Sequence, residues 1–179
     1  MGDPFSVDVT VNPTPQIGTL TSTVICSDQT LSFTPANGTD GIVPTGTTYT
    51  WTYEANANVT GMSNQSSPQS YIGLSQQLRN ITTSLQTVIY RVTPISSLGC
   101  SGTIFTLNVP VNPRPYIGDK SYPLCSNNAF NYSPAGGDKV PAGTTYTWTV
   151  ASNSNVTGQS NQTVAQTGVS QKLINNSTS

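Results

Sequence analysis

The stretch Val43-Pro-Thr-Gly-Thr-Thr-Tyr-Thr-Trp-Thr52 returns almost unchanged as Val140-Pro-Ala-Gly-Thr-Thr-Tyr-Thr-Trp-Thr149, and nothing else in the chain narrows the possible folds as far. An internal repeat of domain size makes the chain an array of like units. Within each copy Tyr49 and Trp51 alternate with Thr48, Thr50 and Thr52, the two-residue period of a strand with one buried face. Threonine and aromatic residues both suit such a pleated, half-buried surface. The Pro-Thr-Gly or Pro-Ala-Gly in front fits a turn, because proline presets φ and glycine accepts a positive φ. Each copy is therefore predicted as turn then strand, with Tyr49, Trp51, Tyr146 and Trp148 as core anchors.

Other segments recur in the same order. Phe5, Val7, Val9 and Val11 alternate along a strand pattern that returns as Phe105, Leu107, Val109 and Val111, in each case ending in Val-Asn-Pro. The second copy closes a repeat, so the first is expected to close an earlier one. Asn12-Pro-Thr-Pro15 and Asn112-Pro-Arg-Pro115 read as short stiff linkers, since alternating prolines hold themselves and the preceding residues extended. Cys26 and Phe33 correspond to Cys125 and Tyr132. Asn58-Val-Thr-Gly61, Ser63-Asn-Gln65 and Ser75-Gln-Gln-Leu78 recur at 155–158, 160–162 and 170–173. The first copy continues through strand patterns at 87–94 and 103–111, which the second does not reach by residue 179. The predicted organisation is residues 1–13 as a closing strand and linker of a preceding repeat, 14–113 as a complete repeat, and 114–179 as a second repeat lacking its last two strands.

The predicted fold class is all-β, tandem immunoglobulin-like β-sandwiches, in which a tryptophan on a central strand organises the core. Leu31, Phe33, Val88, Tyr90, Leu107 and Val109 are expected around Trp51. Only 7% of the residues are charged, against roughly 25% in ordinary globular chains, so neutral Thr, Ser, Asn and Gln carry solubility. Six basic and seven acidic residues, with no basic run, exclude nucleic acid as a partner. The absence of histidine removes the commonest general base and metal ligand, and no carboxylate pair sits at an acid–base spacing, so no enzyme is expected. No apolar run approaches the roughly 20 residues of a membrane span, so no membrane insertion is expected within these residues.

The order Val-Asn-Pro-x-Pro, Ile-Cys-Ser, Phe-Thr-Pro, Pro-x-Gly-Thr-Thr-Tyr-Thr-Trp-Thr, Tyr-x-Val-Thr-Pro, Gly-Cys and a closing Val-x-Val-Asn-Pro resembles the PKD-like repeats of Bacteroidetes surface proteins. It resembles in particular the giant repetitive gliding-motility adhesins of flavobacteria. The resemblance covers nearly the whole chain in two copies. It implies a secreted protein, exported by the type IX pathway and attached at the outer membrane as a long cell-surface filament. The partners would be neighbouring repeats of the same chain, and in an adhesive reading a polysaccharide or solid surface.

Cys26 and Cys100 bracket the complete repeat, and the surface-protein resemblance favours a disulfide over two buried thiols. Such a bond demands an irregular first strand or extra strands between Trp51 and Val88, because a simple seven-strand sandwich puts the two at opposite ends. Cys125 is left without a partner. Trp51 and Trp148 recur in alternation with threonine, which makes them core residues rather than sugar-stacking platforms. Tyr53, Tyr71, Tyr116 and Tyr122 have no equivalents and are the candidate ligand contacts. Asp28, Asp40 and Asp138 are isolated calcium candidates without a neighbouring acid, so neither metal nor cofactor is expected. Asn-x-Ser/Thr triplets at Asn37, Asn58, Asn64, Asn80, Asn155, Asn161, Asn175 and Asn176 follow from composition. The unmatched ends, residues 5–13 and the second repeat, suggest strand exchange between copies.

Overall fold

The computed structural model describes residues 2–73, 76–132, 134 and 137–177, and Ser75 of the repeated Ser-Gln-Gln-Leu string lies outside them. All regular structure among the described residues is β. The chain divides into two units, Met1–Pro113 and Arg114–Ser179.

In the first unit the strands are β1 (Gln16–Ile17), β2 (Leu20–Thr21), β3 (Ile25–Cys26), β4 (Gln29–Thr30), β5 (Gly41–Ile42), β6 (Thr48–Tyr53), β7 (Val59–Thr60), β8 (Gln65–Gln69), β9 (Gln77–Asn80), β10 (Gln86–Ile95) and β11 (Phe105–Asn112). The larger sheet has the order β2-β11-β10-β6-β8, with β3 also on β11. β4, β9 and β7 form a second sheet, and β1 pairs with β5. Gly46, at a φ of 76°, makes the turn predicted before β6. The three strands β7, β8 and β9 fill the interval between Trp51 and Val88. β2 and β3 run parallel to β11, with Leu20 opposite Leu107 and Ile25 opposite Val111.

The period of two decides what is buried. Tyr49 and Trp51 of β6, Val88, Tyr90 and Val92 of β10, and Phe105, Leu107, Val109 and Val111 of β11 turn inward and are all buried. They meet Val59, Leu78, Leu31 and Ile72 from the opposite side in one apolar cluster. Every residue expected around Trp51 belongs to this cluster or packs on it, although Phe33 is only half-buried, being joined to Ile72 by a single bridge. The fold is an immunoglobulin-type β-sandwich.

The second unit contains β12 (Ala129–Tyr132), β13 (Tyr146–Trp148), β14 (Val156–Thr157), β15 (Gln162–Gln166), β16 (Val169–Lys172) and β17 (Ile174–Asn175). These pair as β12-β16, β13-β15 and β14-β17. No described residue here is buried as a whole; Tyr146 and Trp148 are half-buried, which corrects their expected role as buried anchors. The reason lies in the sheet: β6 has β10 along one edge and β8 along the other, whereas β13 pairs with β15 alone among the described residues.

Residues 2–14 join no strand. Phe5, Val7, Val9 and Val11 are 87%, 72%, 78% and 87% exposed, so the half-buried strand expected there has no sheet to lie on.

Candidate functional site

Alternation along β6 and β10 has a second consequence, because whatever is not turned inward forms an outer polar face. Thr52 lies opposite Arg91, Thr50 opposite Thr93 and Thr48 opposite Ile95. Of these rows Thr50, Thr52, Arg91 and Thr93, with Trp51, Asn64, Gln65, Ser66 and Ile104, line a shallow groove of about 510 Å³. Arg91 spans it: Nε donates to Glu54 Oε1 at 2.8 Å and Nη1 donates to Thr106 Oγ1 at 3.1 Å. The second unit carries a matching groove of about 410 Å³ lined by Thr147, Trp148, Thr149, Gln162 and Thr163, the counterparts of Thr50, Trp51, Thr52, Gln65 and Ser66. Among the described residues that line it there is no arginine. Hydroxyls, amides and one ion-paired guanidinium can hydrogen-bond a polar, uncharged polymer, but they offer no nucleophile or proton-transfer group poised near neutral pH.

Beneath each groove lies a hydrogen-bonded clamp. Trp51 Nε1 donates to Ser63 O at 3.1 Å, and the buried Gln76 donates through Nε2 to the same carbonyl at 2.7 Å. The Tyr90 hydroxyl donates to Gln76 Oε1, so a buried polar triad ties β6 and β10 to the segment just before β9. In the second unit Trp148 Nε1 donates to Ser160 O at 3.0 Å, and Gln171 Nε2 donates to that carbonyl too. Gln76 and Gln171 were missed as individual residues; their signal was the shared Ser-Gln-x-Leu string. Trp51, at 3% exposure and with its N–H engaged, presents no stacking platform.

In the first unit the proposed ligand tyrosines stand at opposite ends of one strand pair. Tyr53 lies past the Trp51–Gln65 end of the β6–β8 pair, and Tyr71 past the Tyr49–Gln69 end. Tyr116 bridges Lys139, and Tyr122 packs edge-on against Phe130 and Tyr132. The calcium candidates are engaged locally. Asp28 sits in a turn at a φ of 68°, and Asp40 Oδ2 accepts the Ala36 N–H at 2.7 Å. Asp138 pairs with Lys120 Nζ at 2.8 Å and accepts the Tyr132 hydroxyl at 3.1 Å. Among the described residues no three His, Cys, Asp or Glu side chains come together.

The Cys26–Cys100 bond is corrected outright: both are free, as is Cys125. Cys26 lies beside Asn112, the last residue of β11, while Cys100 precedes its first, Phe105, and its carbonyl accepts the Ser96 N–H. A strand of that length spans about 25 Å at roughly 3.3 Å per residue, far beyond the ~7 Å between Cα atoms that a disulfide tolerates.

Compared with known families, the chain matches the model described as PKD-like domain over residues 23–115 and again over 122–179. No curated protein sequence matches it.

Proposed function

The chain belongs to the PKD-like domain family, and we propose that its units are non-enzymatic structural repeats of a long extracellular cell-surface adhesin or filament. By resemblance this is of the gliding-motility type, secreted and attached at the outer membrane, with the repeats spacing and displaying an adhesive surface. One observation carries the reading. Pro15 lies against Gly102, just before β11, and Pro113 follows its last residue, so the chain enters the first unit at one end and leaves at the other. A unit with its two chain ends at opposite ends is suited to serial linkage. Antibody raised against the 179-residue chain should label intact, unpermeabilised cells, with labelling lost after protease treatment of the cell surface. Labelling that appears only after permeabilisation overturns the proposal.

A second reading, in which the repeats themselves bind polysaccharide, is favoured by the recurrence of the threonine-lined groove at matching positions in both units. On a glycan array the chain should then be retained, and Arg91→Ala combined with Thr50→Val should reduce retention to what the groove of the second unit supplies. No retention of the parent chain leaves the spacer role alone.

A further inference from the structure

Resting on the reading that the repeats bind polysaccharide, we propose that the outer groove of the first unit takes an uncharged, extended, β-linked polysaccharide laid across the strands rather than along them. The groove holds hydrogen-bonding groups that the fold itself does not use. Thr48 Oγ1 donates to Ile95 O at 3.4 Å and Thr106 Oγ1 accepts from Arg91. The hydroxyls of Thr50, Thr52 and Thr93, by contrast, have no protein partner among the described residues. Gln65 donates through Nε2 to Ser67 O at 3.0 Å, which leaves its Oε1 as an acceptor. Arg91 gives Nε and Nη2 to Glu54 Oε1 and one Nη1 hydrogen to Thr106, so both terminal nitrogens of the fork keep an uncommitted N–H.

The same groups recur in the second unit. Thr50, Thr52 and Gln65 return as Thr147, Thr149 and Gln162, and Ser66 returns as Thr163, which keeps the hydroxyl. Their neighbours change, Tyr53-Glu54 to Val150-Ala151 and Ser67-Pro68 to Val164-Ala165. Outward positions serve no core, and valine would suit a strand as well as threonine does. What the two copies hold in common there is the hydroxyl.

Strand register gives the direction. Thr52 stands opposite Arg91 and Arg91 opposite Thr106, while Thr50 stands opposite Thr93. These are rows perpendicular to the strands, with one polar group per strand at a spacing of about 4.8 Å. That step is close to the length of one sugar in an extended β-linked chain, so successive sugars meet successive strands. Along a strand the outward groups are about 6.7 Å apart, and the match is lost. An α-linked glucan that coils leaves the row after a few sugars. Ile104, 61% exposed and lining the same groove, offers an apolar contact to the C–H face of a sugar ring.

Charge sets the polymer class. Among the described residues that line the groove Arg91 alone is charged, and Glu54 neutralises it at 2.6 Å. A carboxylated polymer therefore meets no net positive charge to offset the loss of its hydration.

Affinity electrophoresis of the full 179-residue chain tests this in native gels containing glucomannan, which is uncharged and β-linked, amylose, which is uncharged and α-linked, or carboxymethylcellulose, which is β-linked and anionic. Glucomannan should retard the chain, and the other two should not. Thr50→Val with Thr93→Val keeps shape and strand preference. With circular dichroism unchanged, this pair should weaken retardation by glucomannan about threefold to tenfold, the loss of two neutral hydrogen bonds at one of two grooves. Glu54→Gln frees the Arg91 charge and should create retardation by carboxymethylcellulose that high salt removes. No retardation of the parent by any of the three overturns the polysaccharide reading and this proposal together. Retardation by amylose or carboxymethylcellulose as strong as by glucomannan, a threonine variant that binds as the parent does, or a Glu54→Gln variant that gains nothing on carboxymethylcellulose overturns this proposal alone.

Discussion

Trp51 and Trp148 donate their indole N–H groups to matching serine carbonyls at 3.1 and 3.0 Å, yet one is 3% exposed and the other only half-buried. The two units thus share their local hydrogen bonding and differ in their core. The clamp of tryptophan, serine and glutamine forms wherever the repeated strings occur, because its members come from neighbouring turns and strands. Burial is a property of the whole sheet, and depends on β10 and β11 laying Val88, Tyr90, Val92, Leu107 and Val109 across the inner face. Local order and core packing are therefore separable here, and substitutions at matched positions measure the separation.

The largest contrast is expected at the tryptophans. Trp51→Ala should destabilise the first unit by about 3–5 kcal/mol through lost contacts and the cavity left behind, whereas Trp148→Ala should cost below about 1.5 kcal/mol, since its site is already open. Urea unfolding followed by tryptophan fluorescence of the remaining indole and by circular dichroism reads both; equal losses would break the comparison. Next come the glutamines. Gln76→Ala strands the buried Tyr90 hydroxyl and should cost about 1–3 kcal/mol, while Gln171→Ala, lacking a tyrosine partner, should cost about 0.5–1 kcal/mol.

Alkaline pH offers a third contrast. Burial pushes Tyr49 up to about 12, with the Asp40 charge adding to the effect, and burial pushes Tyr90 further in the same direction. A raised tyrosine keeps its proton in the folded state after the unfolded chain has lost it. The stability it contributes is therefore complete below about pH 10 and is lost as the pH rises through about 12. Tyrosinate absorbance and loss of strand signal should rise together above about pH 10 for the first unit; ionisation of Tyr49 and Tyr90 without unfolding would contradict their burial. The smallest effects are expected at the surface. Cys26→Ser and Cys100→Ser should each shift stability by less than about 0.5 kcal/mol, and a thiol reagent should modify Cys26 and Cys125 in the native chain before Cys100. A disulfide found after oxidation within one chain would require a different register for β3.

Much of this architecture was legible. The alternation in Thr48–Tyr53, Gln86–Ile95 and Phe105–Asn112 named the inward residues, and the Pro-x-Gly turn marked where β6 begins. What escaped has a common cause. β1 and β2 are two-residue strands held at a few points, so no periodicity announces them. The role of Gln76 depends on Ser63 and Tyr90, which are 13 and 14 residues away, and no repeat interval relates such partners. The exposure of Trp148 could not follow from its own string, because identical neighbours in sequence sit beneath different sheets. The cysteine pairing failed at the step that sequence handles worst, the direction of β3 relative to β11.

That direction also settles how the first unit meets tension. When a chain is pulled from Pro15 and Pro113, β3 is dragged one way and β11 the other, and because the two are parallel neighbours the pull runs along their shared ladder. The bonds from Ser22 N to Asn108 O and from Ser27 N to Asn112 O, both 2.9 Å, then bear load together rather than opening one after another as in a peeled hairpin. The Ser27 hydroxyl and the Asn80 amide, which grip Asn112 O and Val111 O beside them, add bonds that must fail in the same event. A sandwich built this way is a shear joint, strongest along the axis on which its neighbours in an array would tug.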